Sequence, residues 1–188
     1  MSIAARDKIA RFLAGGVEAV PSPRSASLAL PAEVLDLHVD GFGDIPLPVP
    51  APVAKKLAAV TIPARFGQGE ETLLDVSVRD TGEIAPERVQ ITGDRWASSL
   101  AGALEELGTR LGVRGPERLR AELHSMLVYG KGQFFAAHQD SEKHDDMVAT
   151  LVVMLPSDHS GGELVLLDGE AAAAYTGSST DLVLVAFY

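Results

Sequence analysis

The sequence predicts an α+β fold in which a mixed N-terminal half feeds a compact β half. Three observations carry this expectation. A strongly helical repeat runs from Trp96 to Leu111, four short aliphatic or β-branched runs follow it, and 188 residues suit one domain with a sizeable core better than two. We therefore expect a single domain over 1–188, with 1–118 as a supporting region and 119–188 carrying most of the β core. Pieces of both are expected to share that core.

The elements follow in chain order. Ile9, Phe12 and Leu13 suit one face of a short helix ended by Gly15-Gly16. Val34 to Val39 alternates apolar and polar residues, as a half-buried strand does. Prolines 46, 48, 50 and 52 remove backbone donors and predict an extended surface connector rather than a central strand. Val53 to Val60 reads as a short helix with Ala54, Leu57 and Ala58 on one side, and Thr72 to Val78 as a strand after the Gly67-Gln68-Gly69 turn. Trp96, Leu100, Leu104, Leu107 and Leu111 recur at helical spacing, and Gly112 supplies the C-terminal stop. Glu122 to Tyr129, Thr150 to Leu155, Glu163 to Leu167 and Leu182 to Phe187 are each bounded by Gly, Pro, Asp or Ser and read as strands of a sandwich or barrel.

Composition excludes several chemistries. With no cysteine there are no disulfides, thiolate zinc sites, iron–sulfur clusters or cysteine nucleophiles, and a reducing compartment fits. The formal net charge of −10 and the lack of a basic run argue against nucleic-acid binding, which needs Lys and Arg to displace counterions. Apolar runs fall short of the roughly 20 residues that span a bilayer, and Arg6, Asp7, Lys8 and Arg11 interrupt the N-terminus where a secretory signal would be apolar. A cytoplasmic location without membrane contact is expected. The phosphate-cradling loop, the dinucleotide fingerprint and the Gly-X-Ser-X-Gly elbow are all absent.

The segment richest in chemistry is Tyr129-Gly-Lys-Gly-Gln-Phe-Phe-Ala-Ala-His-Gln-Asp140. If Phe134 to Asp140 is extended, the period of two places His138 and Asp140 on one face, where an imidazole and a carboxylate can close on one metal ion. With a second histidine they would complete a facial triad, leaving three coordination positions for a bidentate cosubstrate and dioxygen. A His-X-Asp triplet also occurs in ordinary solvated loops. Here it follows the Phe134-Phe135 pair and precedes a polar loop, an apolar run ending in Pro156, and Gly161-Gly162-Glu163-Leu164.

This layout resembles the double-stranded β-helix (jelly-roll) core of the 2-oxoglutarate- and Fe(II)-dependent oxygenases, particularly the prolyl 4-hydroxylase-like branch. The likeness runs from Leu123 to Tyr188 through Tyr129, Gly130 to Gly132, Phe134-Phe135, His138 to Asp140 and Gly161 to Glu163. The phrases Asp140-Ser-Glu-Lys143, Thr150-Leu-Val-Val-Met-Leu-Pro156 and Gly161-Gly-Glu-Leu164 look like a less characterised group of the same superfamily. Gly67-Gln-Gly-Glu-Glu-Thr72, Asp75 and Val78-Arg79 look like that group's N-terminal region, without an assignable role.

The resemblance implies a dioxygenase that uses Fe(II) and the cosubstrate 2-oxoglutarate to hydroxylate an unactivated carbon of a small-molecule or peptide substrate, with peptidyl proline suggested by analogy. His138 and Asp140 would be metal ligands, and Tyr129 would bind the cosubstrate by donating its hydroxyl to a carboxylate, or else simply pack on its strand. Leu164 stands where prolyl hydroxylases often have a hydroxyl residue. The family's distal histidine and 2-oxoglutarate-anchoring basic residue follow the strand that Leu182 to Phe187 matches, and the sequence stops at Tyr188 before either. That ending, within a buried-strand pattern, leads us to expect a jelly roll incomplete at its C-terminus and a chain inactive without a longer parent.

None of the other histidines is an evident third ligand. His144 and His159 fall in loops, His124 alternates with Leu123 and should face away from the barrel interior, and His38 sits in an upstream strand. Glu142, Asp145 and Asp146 could resemble the paired carboxylates of glycoside chemistry, but one polar loop holding all three reads as a solvated turn. The competing expectation is a non-catalytic jelly-roll module that binds a ligand or partner on the same scaffold. The sequence fixes neither substrate nor oligomeric state.

Overall fold

The computed structural model describes residues 25–68, 71–113, 119–140, 146–169 and 171–188. The chain begins there with β1 (Ser25–Pro31), a 3-10 turn over Ala32–Val34, β2 (Asp36–Val39) and β3 (Gly43–Ile45). Helix α1 (Ala51–Ala58) leads to β4 (Ile62–Pro63), β5 (Phe66–Gln68), β6 (Glu71–Leu73), β7 (Arg79–Asp80), β8 (Gly82–Ile84) and β9 (Val89–Thr92). After helix α2 (Trp96–Leu111) come β10 (Met126–Val128), β11 (Phe134–Phe135), β12 (Thr150–Met154), β13 (Leu164–Asp168), β14 (Ala171–Tyr175) and β15 (Asp181–Phe187). This is a mixed α+β structure of small, antiparallel sheets with two α-helices among the described residues. Neither helix is long and apolar enough to cross a membrane.

The core is built around β15. Its run Leu-Val-Leu-Val-Ala offers apolar side chains to both faces, the pattern of a strand covered on both sides. It lies between β1 and β12, pairing Ser25 with Phe187 on one side and Thr150 with Phe187 on the other. Leu182, Leu184 and Val185 are fully buried. Helix α2 packs on β1 and β15 through Ala103, Leu107, Gly108 and Leu111. A Cβ at Gly108 would stand 2.8 Å from Leu119 Cδ1, so a small residue fits the close approach there. The helix ends where Gly112 takes φ +75° and Val113 N–H donates to the Gly108 carbonyl at 2.9 Å.

A second sheet, ordered β3-β2-β9, adds Leu37, Val39, Ile45 and Val89 to the same core. The alternate residues Asp36, His38 and Asp44 face outward, as the period of two requires. The proline-rich connector between β3 and α1 departs from the expected surface run. Val49 is buried, and its amide donates to the Pro156 carbonyl at 2.7 Å. Pro50 caps α1 and Pro52 sits in its first turn, where a missing N–H costs nothing, so the helix starts at Ala51 and not at Val53.

Segments from both sides of residue 118 make the sheets: β1 pairs β15, β8 pairs β10 and β7 pairs β11. The last two pairings are continuous. Residues 79–84 run antiparallel to both β10 and β11, from Arg79 opposite Phe135 to Ile84 opposite Met126. Tyr129 to Gln133 are extruded as a loop opposite Thr81, a buried polar residue whose hydroxyl donates to the Asp80 carbonyl at 2.8 Å.

Several expected strands are shorter than their sequence patterns. Val34 belongs to the 3-10 turn, and regular pairing starts at Asp36. The run from Thr72 to Val78 breaks at Asp75, whose carboxylate accepts from the Ser77 amide and hydroxyl at 2.8 and 2.6 Å and folds the chain into a turn. Within Glu122 to Tyr129 the paired part is Met126–Val128, because β8 offers three residues as partner. The helix expected around Ile9, Phe12 and Leu13 lies outside the described residues.

Candidate metal centre

The site grows from the short ladder between β7 and β11. Phe134 pairs with Asp80 and Phe135 with Arg79, and one further bond, Ala136 N–H to the Val78 carbonyl at 2.8 Å, closes the pairing. Beyond it β7 offers no partner, and the Asp75–Arg79 turn carries the chain away. The expectation of an extended strand from Phe134 to Asp140 is therefore corrected: the strand stops at Phe135 and the chain bends at Ala137.

His138 and Asp140 nevertheless meet. His138 Nε2 lies 3.1 Å from Asp140 Oδ1, with the two side chains 38% and 39% exposed. His138 Nδ1 lies 2.9 Å from the Ala136 carbonyl, which can only accept, so Nδ1 carries the proton of that bond. The second carboxylate oxygen, Oδ2, accepts from the Thr150 hydroxyl at 2.9 Å. Phe135 stacks on the imidazole with centroids 3.5 Å apart and planes 19° apart, and the Arg79 guanidinium lies over the Phe135 ring, 4.4 Å from its centroid.

The donor set fits one cation. With Nδ1 donating to Ala136, the Nε2 lone pair faces a carboxylate oxygen, an arrangement that calls for a second proton or a metal ion between them. Two ligand atoms about 2.1 Å from one ion and at right angles stand about 3.0 Å apart, close to the separation seen. Both residues also have the supporting contacts that orient metal ligands: a carbonyl on the far imidazole nitrogen and a hydroxyl on the far carboxylate oxygen. Among the described residues no cluster of three or more His, Cys, Asp or Glu forms, and the structure brings together only the two residues that the resemblance would make ligands.

The other sequence candidates are dispersed. Tyr129 follows β10 and is 48% exposed. The loop after it is tied down by Gln133, which accepts from Gly130 N–H at 2.6 Å and donates to Asp80 Oδ1 at 2.9 Å. Gly161 and Gly162 take φ +75° and +78°, a conformation suited to glycine, and deliver Leu164 into β13 opposite Tyr175. His159 bonds within its own loop, to Ser157 at 3.1 Å. His124 is exposed before β10. His38 pairs with Asp44 at 2.6 Å on the outer face of β2 and β3. His144, Glu142 and Asp145 lie outside the described residues.

Two cavities lie away from the pair. One of about 380 Å³ is lined by Ser25, Ser27, Arg110 and Tyr175, and one of about 260 Å³ by Asp36, His38, Asp44 and Thr92. Concavity and ligand chemistry thus point to different places. The second cavity holds a histidine–carboxylate pair of its own, but His38 and Asp44 at 2.6 Å stand closer than two ligands of one ion would, and the other imidazole nitrogen lies 3.6 Å from Asp40 instead of against a carbonyl. The sequence reading missed Arg79 and Thr150, whose signal was their place in the quoted phrases Val78-Arg79 and Thr150 to Pro156.

Comparison of the chain with models of protein families, with curated proteins and with solved structures returned no match.

Proposed function

We propose that this chain presents two protein ligands of a non-haem Fe(II) site, His138 and Asp140, and that the site is that of a 2-oxoglutarate-dependent dioxygenase whose activity needs a longer parent. One observation carries the reading: an imidazole nitrogen and a carboxylate oxygen 3.1 Å apart, each held from behind by a hydrogen bond. In this reading β10 to β15 contribute strands of a double-stranded β-helix, and the N-terminal strands support it. The resemblance of Tyr129 to Asp140 and of Gly161 to Glu163 supports the assignment to the oxygenase superfamily.

Iron and 2-oxoglutarate bound there supply the oxidising power to hydroxylate an unactivated carbon. The chain's own residues hold and orient. His138 and Asp140 would hold the ion, and two protein ligands would leave positions for a cosubstrate. The Ala136 carbonyl keeps the proton on Nδ1, so Nε2 remains a ligand, and Thr150 turns the Asp140 carboxylate so that Oδ1 faces the imidazole. By the resemblance, Tyr129 would donate its hydroxyl to a cosubstrate carboxylate. A small molecule or a peptide, prolyl peptides included, is the substrate class.

Metal titration tests this directly. Co(II) or Fe(II) should bind the wild-type chain weakly, and His138→Ala and Asp140→Ala should each abolish binding. Equal affinity in all three proteins removes both residues from any site. A wild-type chain that binds neither ion favours a jelly-roll module that holds a ligand without iron.

A further inference from the structure

We propose that Arg79 is a positioning residue for His138, acting through the Phe135 ring; the inference rests on the metal reading above. Arg79 and Phe135 are register partners in the β7–β11 ladder. The guanidinium lies over the Phe135 ring at 4.4 Å, and that ring stacks on the His138 imidazole at 3.5 Å. A cation, a phenyl ring and a metal-ligating imidazole thus form one chain of contacts joining residues far apart in sequence.

The guanidinium's own bonding argues that this contact is its main one. One terminal nitrogen donates to the Arg65 carbonyl, while the buried Nε has no hydrogen-bond partner among the described residues. An arginine held only for polar bonding would not leave that nitrogen unpaired under cover. Placed over an aromatic face, it gains the attraction between a cation and the negative ring face, which is stronger away from water.

The consequence falls on the plane of the imidazole. His138 is gripped at its edge by the Ala136 carbonyl and on its face by Phe135. Both grips originate in one segment: the Ala136 amide is bound by the Val78 carbonyl, and Phe135 is held by Arg79 next to it. If Phe135 were free to turn, the imidazole could rotate and carry Nε2 away from Asp140 Oδ1. Arg79 restricts that turn without touching the ion.

Two readouts on the full chain test the inference, one of them without metal. In the metal-free protein the His138 ring protons should show the upfield shift of a stacked imidazole. Arg79→Met should collapse that shift and weaken Co(II) binding about tenfold, with a changed Co(II) visible spectrum and an unchanged cooperative melting transition. Arg79→Lys, which keeps a cation, should retain most of the shift and affinity. Phe135→Leu should reproduce the loss, and adding Arg79→Met to it should cost nothing more, since both act through one contact. Where Arg79→Met fails to fold, Phe135→Leu reads the same contact from the other side, and unchanged His138 shifts and Co(II) affinity there overturn the inference. Wild-type shifts and Co(II) affinity in a folded Arg79→Met, or additive losses in the double variant, also overturn the inference while leaving the metal reading intact. A wild-type chain that binds no Co(II) overturns the metal reading and, with it, this role for Arg79.

Discussion

The Thr150 hydroxyl donates to Asp140 Oδ2 at 2.9 Å and so ties the candidate metal centre to the first residue of β12. Thr150 also pairs with Phe187 in the central sheet. Oδ1 is thereby aimed at the imidazole from the edge of the central sheet, although Asp140 itself lies outside any strand. Removing the hydroxyl while keeping the shape tests this. Thr150→Val should weaken Co(II) affinity about tenfold, the scale of lost support behind a ligand, whereas Thr150→Ser should stay near wild type in isothermal titration.

Asp75 gives a pH signature upstream of Arg79. The Ser77 hydroxyl, and then its amide, stabilise the charged carboxylate and hold its pKa below the usual aspartate range. The folded value is depressed, so the turn's contribution to stability is present above the unfolded value and is lost as pH falls through the folded one. Ser77→Ala should move the Asp75 titration upward, read from its carboxyl carbon shift by NMR. It should also make the Asp75–Arg79 turn open at a higher pH.

Leu184 is fully buried in the central strand. Leu184→Ala should destabilise the fold by about 3 kcal/mol, the loss of a buried side chain plus the cavity left behind. The urea midpoint should fall with little change in slope.

Gly93 precedes α2 with φ +116°, and a Cβ there would stand 2.7 Å from the Val34 carbonyl oxygen. That neighbour is backbone and has little freedom to move. Gly93→Ala should therefore cost about 2 kcal/mol or more. Gly112→Ala, with φ +75° but open space around the Cβ position, should cost only about 1 kcal/mol. Equal melting temperatures for the two variants would contradict the steric argument.

Helix α2 was legible in the sequence to its end residues, because a sixteen-residue apolar repeat with a glycine stop outweighs any one neighbour. The convergence of His138 and Asp140 was legible too, but it arises by a different route. Period-two alternation along an extended strand predicts it; a bend after a ladder of two pairs, with the Ala136 carbonyl capturing the imidazole, produces it. How long a strand stays paired depends on its partner, and β7 is two residues long for reasons that lie in the Asp75 turn. β1 was illegible because Ser25, Ser27 and the small Ala26 and Ala29 give no strong alternation, and its place comes from β15. The phrase Val78-Arg79 marked Arg79 without giving it a role, because a guanidinium over a ring leaves no pattern within either segment.

The pairing of Ser25–Pro31 with Asp181–Phe187 also has a consequence in time. During synthesis at about 5–20 residues per second, β1 leaves the ribosome on the order of ten seconds before its partner strand exists. Its ladder of amides and carbonyls spends that interval open to other chains, the condition under which strand edges associate wrongly. The serines that hide β1 from pattern reading lower its apolar content during that wait. The central sheet can close only once β15 exists, because that strand pairs with both β1 and β12.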